Sequence, residues 1–475
     1  SLFFFTSVLD SLEHPIAYRG GQEAAHSLED RSVNHGNFLE LVLLLAEYDP
    51  VLQEHVRISI ETSKKLRDSN PGSKGRGSFV SFLSKSTVNK LIKIIGSNIQ
   101  EKIIEEVKLA KIFSLQVDST QDVGVLDQLA IVVRYVSPLT GMPSERLIKL
   151  TVSHDNTGEG LFKLIKREFA SLGIDLRNCV ACSFDGAANM SGCFKGLQTR
   201  LKEINPNLQF THCAAHCLNL VLSDTCKDCN DCNKLFGLLE TAAVFISQSY
   251  KRMEVWSSIA KASNSAHRKL RRLQKIGATR WWSKHVSLRS VIDEKFSVSE
   301  NCNLVQFLSC MADIRDSSLF DSKTNFAAGS IITGWCKFET LLTAFLMSDV
   351  FVKTTPVSEA LQSPKLDYLT TFKMVEALQD AIEKKRDEFD SLVSRVKQYA
   401  LDINKELDAL EIKDIKLETD FQDLRKTRHA HVQTSRDAYR VGTFYVVLDR
   451  VISGLRERFN PNEDLLKECA MLDPK

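Results

Sequence analysis

The stretch SFDGAANMSGCFKGLQTRL, residues 183–201, places a single acid, Asp185, between an apolar run and a cluster of small residues. The residues before it, 178–184, predict a short buried strand. The small residues 186–189 leave room for another group to come close. An acid at this position either caps the helix that follows or holds a metal ion.

The elements around this stretch follow the order of an α/β domain. The sequence predicts strands at 112–118, 128–136 and 146–153, a helix between Thr157 and Gly173, a strand at 178–184, a helix to about Ile204 and a strand at 209–213. The first three strands are joined by short turns and suit an antiparallel meander. By this pattern, Asp118 ends the first strand and Asp185 ends the fourth.

These two acids suggest a metal site. If the first and fourth strands are neighbours, the carboxylates of Asp118 and Asp185 meet at one edge of the sheet. Two adjacent carboxylates repel each other unless a cation lies between them. Oxygen ligands with water in the remaining positions suit Mg²⁺ or Mn²⁺, as in two-metal phosphoryl transfer. The alternative is that each acid is a helix N-cap.

Helical regions lie on both sides of these strands in the sequence. Apolar residues at helical spacing occupy 34–62, with a break at Asp49-Pro50, and about 87–111. Residues 375–403 carry apolar side chains at a seven-residue spacing that Lys385 interrupts. That spacing fits either a short coiled coil or a long helix that covers the core of its own domain.

Composition limits the class of protein. The chain has 475 residues, a net charge of +2 and 12 cysteines, so any basic surface must be local and the cysteines form no disulfide scaffold. The apolar residues 1–5 lack the positive flank of a signal peptide, and no run approaches the ~20 apolar residues of a membrane helix. We therefore expect an intracellular protein with reduced thiols and no membrane partner.

Three cysteines at regular spacing raise the question of zinc. Cys226, Cys229 and Cys232 form two Cys-x-x-Cys pairs that share one cysteine. Together with Cys213 and His216, they could supply zinc ligands. Pairs that share a cysteine are not the usual zinc-finger arrangement, so the sequence argues against zinc and favours a polar surface turn with reduced thiols.

Residues 251–289 carry eleven Lys and Arg residues against one acid, Glu254, with tryptophans interleaved. Cations that displace condensed counterions, together with rings that stack on unpaired bases, are what binding of single-stranded or distorted DNA requires. The alternative is a solvated basic helix. The DNA-binding candidates are Arg268, Lys269, Arg271, Arg272, Lys275, Arg280, Trp281, Trp282 and Lys284.

Several of these stretches together resemble the hAT superfamily of DNA transposases, in the branch that includes the transposase-like zinc-finger MYM-type proteins. The matching motifs are GNFLEL at 36–41, AKIFSLQVD at 110–118, residues 128–136, SFDGAANMSG at 183–192, HCAAHCLNL at 212–220 and TRWWS at 279–283.

The resemblance implies an α/β fold with an RNase H-like core. This core is a mixed five-stranded sheet with flanking helices, interrupted by a large all-α insertion and preceded by a helical N-terminal region. The implied limits are 1–108 for the N-terminal region, 109–224 for the core, 225–440 for the insertion and 441–475 for the start of the C-terminal part of the core.

The resemblance also implies roles for particular residues. Asp118 and Asp185 match the first two catalytic, metal-binding acids, and Cys213 and His216 match a Cys-x-x-His structural signature. A tryptophan after Arg280, Trp281 rather than Trp282, matches one that stabilises a flipped base. DNA as partner, Mg²⁺ or Mn²⁺ as cofactor, a nuclear location and a homo-oligomeric full-length protein are implied in the same way.

The sequence departs from the family pattern at the third acid. The family places a glutamate in a Ser-Ala-Glu-Arg-x-Phe-Ser-like stretch beyond an Asp-Pro motif, and no such stretch occurs in this chain, where Glu463 and Glu468 come too early. We interpret the chain as a piece of a longer protein and expect DNA binding without cleavage. The alternatives are a fragment of an active transposase and a regulatory scaffold that no longer binds DNA.

Overall fold

The computed structural model describes residues 19–21, 23–30, 32–69, 82–121, 126–185, 188–192, 195–262, 273, 282–293, 296, 298, 302–363, 368–412, 414–422 and 434–459. Backbone contacts divide the chain into two compact units. The first unit contains Ser1–Ile112, Tyr135–Ile148 and Ala170–Ile174, and the second contains Phe113–Arg134, Lys149–Phe169 and Asp175–Lys475. The domain limits predicted from the sequence stay predictions.

In its described residues the first unit contains a 3₁₀ turn (Ala25–Ser27) and three α-helices: α1 (Asn37–Ala46), α2 (Pro50–Asp68) and α3 (Lys85–Ala110). The break predicted at Asp49-Pro50 is the start of α2. The Asp49 carboxylate accepts hydrogen bonds from the backbone N–H groups of Val51 (2.9 Å) and Leu52 (3.2 Å), and Pro50 stands at the first helical position. Apolar side chains of α1 and α2, such as Phe38 and Ile60, are buried in one cluster.

The strands are β1 (Phe113–Gln121), β2 (Asp127–Val136), β3 (Pro143–Ser153), β4 (Cys179–Phe184) and β5 (Gln209–His212), in the spatial order β3-β2-β1-β4-β5. Strand β4 runs parallel to both β1 and β5. Parallel neighbours need a crossover of about a dozen residues or more, so the short connections 122–126 and 137–142 make β1, β2 and β3 antiparallel. The predicted mixed five-stranded sheet is confirmed.

Helices connect the later strands: α4 (Gly158–Leu172) precedes β4, and α5 (Ala188–Ser191) and α6 (Leu197–Ile204) lie between β4 and β5. As predicted, Gly173 follows the end of α4, where its φ of +66° suits glycine. The α4 side chain Phe169 stacks on Phe113 of β1 at 5.7 Å between ring centroids. This contact packs the helix against the sheet through buried aromatic surface.

All described elements after β5 are helical. They are α7 (Ala214–Asp228), α8 (Asn230–Ser247), α9 (Tyr250–Ala262), α10 (Trp282–Val291), α11 (Asn303–Asp316), α12 (Ser322–Trp335), α13 (Phe338–Leu361), α14 (Tyr368–Lys384), α15 (Phe389–Ala409), α16 (Ser435–Tyr439), a π-helical turn (Arg440–Phe444) and α17 (Tyr445–Phe459). They share one large apolar core. The predicted fold class, an RNase H-like sheet with flanking helices and a large all-α region, is therefore confirmed. Within the described ranges, no helix combines the length and the apolar character needed to cross a membrane.

The seven-residue spacing belongs to two helices of this core. Helices α14 and α15 are separated by a 3₁₀ turn at Lys385–Asp387. The Lys385 ammonium there forms ion pairs of 3.0 Å with Asp349 and with Glu388. The apolar residues of the repeat are buried in the common core: Val375, Leu378, Ile382, Phe389, Leu392, Val396, Tyr399 and Ile403. The spacing therefore reflects packing within this domain, over two helices where we predicted one.

Candidate functional site

The two predicted acids lie at the same level of neighbouring parallel strands. Gln116 of β1 pairs with Ser183 of β4, and Asp118 and Asp185 each lie two residues further along. Adjacent strands are about 4.8 Å apart, and alternate residues share a face of the sheet. Asp118 is exposed and Asp185 is half-buried. The strand register therefore places the backbone positions of these two residues side by side.

One detail of the prediction was wrong. Asp118 does not end β1, because the strand continues through Ser119 and Thr120 to Gln121. The apolar pattern ends at Asp118, but strand pairing uses backbone groups and can extend along polar side chains. A residue inside a strand cannot cap a helix, so the N-cap alternative is excluded for Asp118. Asp185 directly follows β4, three positions before Ala188, where α5 begins.

The start of α7 is joined to the strand that carries Asp185. Phe184 pairs with His212 of β5, and the Cys213 N–H donates to the Phe184 carbonyl oxygen at 2.9 Å. The Cys213 carbonyl in turn accepts the first helical hydrogen bond of α7, from Cys217 at 2.9 Å. Cys213 and His216, the predicted structural motif, are both half-buried at this helix start. Their motif role stays a prediction.

The imidazole of His212 at the end of β5 is held toward its neutral form. Burial lowers its pKa below the ordinary histidine value, and the charge of His216 lowers it further. His216 therefore lies close enough to His212 to affect its pKa. His212 is at the end of β5, the strand next to β4, which leads to Asp185.

A glycine and two asparagines support the loop beside Asp185, and the sequence analysis did not identify them. The Asn189 side chain donates to the Asn156 carbonyl oxygen at 2.7 Å, which joins α5 to the loop before α4. A Cβ atom on Gly158 would lie 2.3 Å from the Lys195 carbonyl oxygen and 2.9 Å from that of Asn189, so only glycine fits there. The small residues 186–189 were the available sequence signal, since small side chains indicate that another segment of the chain packs closely there.

The two carboxylates fit part of a magnesium or manganese coordination shell. Mg²⁺ in proteins keeps several waters and is bound through one or two carboxylates together with substrate phosphates. In the part of the chain that the structure describes, no group of three or more His, Cys, Asp and Glu side chains could hold a metal ion. The role of Asp118 and Asp185 as ligands of such an ion stays a prediction.

Most of the predicted DNA-binding residues lie outside the described residues: Arg268, Lys269, Arg271, Arg272, Lys275, Arg280 and Trp281. Trp282 is the first residue of α10, but its side chain is not among those described. Lys284 is half-buried, with its Nζ 4.9 Å from the centre of the Phe236 ring. Trp256, one of the interleaved tryptophans, is 4 % exposed and belongs to the helical core, so it cannot stack on DNA.

The prediction of a polar surface turn at the three cysteines was wrong. Cys226, Cys229 and Cys232 are buried in the helical core, although the residues between them are charged or polar. All three are free thiols. At a junction of two helices the side chains alternate between the surface and the core, so a polar sequence can still turn every third residue inward.

The sequence of residues 6–196 matches the family described as DUF4371, the ZMYM1/FAM200 RNase-like domain. This part of the chain, which includes the N-terminal helices and most of the sheet, is therefore similar to that family. The match contains β1–β4 with Asp118 and Asp185 and ends before β5. It confirms the resemblance to the transposase-like, zinc-finger MYM-type branch that the motifs indicated.

Two curated relatives extend the similarity into the helical region. Both are called 52 kDa repressor of the inhibitor of the protein kinase. The mouse protein is 19 % identical over 402 residues, which cover 83 % of this chain and 50 % of the relative. The human protein is 18 % identical over 401 residues, with the same coverage of 83 % and 50 %. The chain thus spans half the length of these relatives.

Proposed function

We propose that this chain is a DNA-binding protein of the nucleus, derived from a hAT-type DNA transposase. The observation that carries the proposal is the placement of Asp118 and Asp185 at one level of β1 and β4, in a sheet of RNase H-like strand order. Two carboxylates at one level of neighbouring parallel strands are suited to divalent cations and, through them, to the phosphates of nucleic acid.

At this site the protein would contribute two oxygen ligands and a defined spacing. Asp118 and Asp185 would hold Mg²⁺ or Mn²⁺ against a DNA phosphate, and an ion bound there supplies Lewis-acid stabilisation of phosphate oxygens. The backbone bond from Cys213 to Phe184 and the side-chain bond from Asn189 to Asn156 hold the segments on either side of Asp185. Without phosphate, two carboxylates leave most of the ion's coordination to water, so binding should be weak.

Removing both acids should abolish this weak ion binding. We expect Mn²⁺ titration of the whole chain, followed by electron paramagnetic resonance, to give saturable binding that the Asp118→Asn/Asp185→Asn variant lacks. A matched control is Asp68→Asn/Asp402→Asn, which removes the same charge from α2 and α15. Equal binding by the wild type and the Asp118→Asn/Asp185→Asn variant would refute the metal site.

We further propose that the chain binds DNA without cutting it, since its sequence contains no counterpart of the family's third acid. Incubation with Mn²⁺ and a labelled duplex or hairpin should leave the strands intact. Nicking that disappears in Asp185→Asn would contradict this expectation. It would show that another acid completes the site and would favour the alternative of an active transposase fragment.

The basic segment 251–289 is proposed as the principal DNA-binding surface. Replacing Arg271 and Arg272 with alanine should weaken binding to all DNA substrates alike, and should flatten the slope of log K against log salt by about 0.9 for each phosphate that the protein no longer neutralises. The control variant Arg395→Ala/Arg436→Ala removes two cations that pair with Asp349 and Asp390 instead. A fluorescence anisotropy titration at several salt concentrations measures both quantities, and unchanged slopes would remove the segment from the interface.

A second candidate function is transcriptional or signalling repression through protein contacts. It rests on the name of the mouse and human relatives, which calls them repressors, and on similarity that covers 83 % of this chain. In this case the fold would act as a scaffold that no longer binds DNA. Absence of DNA binding by the wild-type chain at low salt would favour this function over the first.

A further inference from the structure

The thiol cluster of Cys226, Cys229 and Cys232 lies where α7 meets α8. Cys226 is in the last turn of α7, Cys229 ends α7 and caps α8, and Cys232 is in the first turn of α8. Their side chains are 1 %, 1 % and 0 % exposed. Both Cys226 and Cys229 act on the pKa of the Cys232 thiol and raise it, so the three sulfur atoms are near one another. Three thiols therefore lie close together within one buried site.

The sulfur of Cys229 is in a position that stabilises a thiolate. The backbone N–H of Cys232 donates to it at 3.4 Å across the first turn of α8. The pKa of Cys229 is lowered to about 7, first by the side-chain hydrogen bond from Cys232 and then by backbone N–H groups of Cys232 and Asp231, against the opposing effect of burial. A helix N-terminus favours negative charge for the same reason.

Cys232 is the complementary group. The neighbouring thiols of Cys226 and Cys229, together with burial, raise its pKa well above the ordinary thiol value, so it stays protonated. Its Sγ also lies 3.6 Å from the Sδ of Met347, which closes the apolar side of the site. Lys284 lies near Cys226 and Cys232, and burial lowers the pKa of its ammonium while the two sulfur atoms partly oppose this effect.

We propose that Cys229 and Cys232 are a redox-active dithiol that a small peroxide converts into an intramolecular disulfide. The Cys229 thiolate attacks one oxygen of the peroxide, the O–O bond breaks, and the leaving hydroxide takes a proton to form water. Cys229 is then a sulfenic acid. The Cys232 sulfur attacks the Cys229 sulfur, the S–O bond breaks, and the departing hydroxide leaves as water with the Cys232 proton. Two thiols are oxidised, and one hydrogen peroxide is reduced to two waters.

The cluster lies close to the protein surface, which gives hydrogen peroxide a route to the buried sulfur atoms. The turn that contains Cys229 is at the surface, since Asp228 and Asn230 on either side of it are exposed. Opening one turn at a helix end costs far less than global unfolding. Peroxide can enter through such an opening, whereas a bulky disulfide reagent cannot.

Trypsin offers a direct test, because cleavage after Lys227 and Lys234 leaves Cys229 and Cys232 in one peptide and Cys226 in the preceding one. The folded chain is treated with hydrogen peroxide, remaining thiols are alkylated, and peptide 228–234 is weighed without reduction. We expect this peptide to accumulate in a form lighter by two hydrogen atoms and to be restored by dithiothreitol. In Cys232→Ser we expect Cys229 to be trapped as a sulfenic acid by dimedone.

Cys310 is the matched control. It is as deeply buried in the same core, and burial raises its pKa to about 12, so it should remain reduced. The rate of disulfide formation should rise up to a pH of about 7 and level off above it, since the thiolate of Cys229 is the attacking form. The mass measurement on the wild-type chain tests the disulfide even if the Cys232→Ser variant fails to fold. Three results would overturn the proposal. They are peptide 228–234 with both cysteines alkylated, oxidation no faster than that of Cys310, and a disulfide that involves Cys226 instead.

Discussion

Replacing Asn404 with alanine is expected to lower the free energy of unfolding by about 2–4 kcal/mol, because two buried backbone groups lose their partner at once. The Asn404 amide donates to the Leu417 carbonyl oxygen at 2.9 Å and accepts from the Leu417 N–H at 2.8 Å. Leu417 lies in the segment 414–422, which is neither helix nor strand. The side chain of Asn404 therefore supplies the hydrogen bonds that regular structure would otherwise provide.

The same segment is attached to a second point of the helical core. The Glu418 N–H donates to the Cys336 carbonyl oxygen at 2.8 Å, and the Glu418 carboxylate accepts from the Phe338 N–H at 3.0 Å. These bonds connect the segment to the junction of α12 and α13. Loss of the two Asn404 hydrogen bonds should thus weaken the attachment of segment 414–422, while the Glu418 bonds keep the segment in place. The whole domain should still fold.

Chemical denaturation of the wild type and Asn404→Ala measures the difference. Asn233→Ala is a suitable control, since its amide makes an exposed bond of 3.0 Å to Lys227 and its loss should cost less than about 1 kcal/mol. Equal stability of Asn404→Ala and Asn233→Ala would show that water satisfies Leu417.

Local sequence pattern accounts for most of the fold. The strands, the helix that Gly173 closes and the helix start at Asp49-Pro50 were predictable because each depends on residues within a few positions of one another. The paired helices α14 and α15 were predicted as one, because the polar turn at Lys385–Asp387 keeps the apolar spacing on both sides. The Lys385 ion pair with Asp349 spans 36 positions and leaves no local signal.

The candidate site shows the same limit. The two acids were found because each follows an apolar run, but their meeting depends on β1 and β4 being neighbours, which spacing alone does not determine. Family resemblance supplied that step. The sequence did not reveal the thiol cluster, because Cys232 contacts Met347, which is distant in the chain. It also did not reveal the role of Asn404, which is an ordinary polar residue of a helix unless its hydrogen bonds to Leu417 are known.

Replacing Trp281 with alanine should weaken the binding of single-stranded or flipped-base DNA by about tenfold or more, since stacking contributes about 1–3 kcal/mol per base. Intact duplex should be almost unaffected. A base must leave the helix before it can stack, and the cost of unpairing offsets the benefit in duplex but not in a substrate that is already open. The segment around Trp281 also carries the cations that we propose as phosphate ligands, so duplex affinity should persist without the ring.

Trp256 provides the matched control for this prediction, because it is a tryptophan of the same segment whose side chain is buried. Trp256→Ala should lower the melting temperature, and any loss of affinity should be equal on open and paired DNA, since it reflects loss of folded protein. Trp281→Ala should instead leave the melting temperature unchanged and separate the two substrates. If Trp281→Ala lowers the melting temperature and weakens both substrates equally, then Trp281 is a core residue like Trp256 and does not stack on a base. Trp282→Ala, measured in the same series, shows which of the two neighbouring rings stacks on the base.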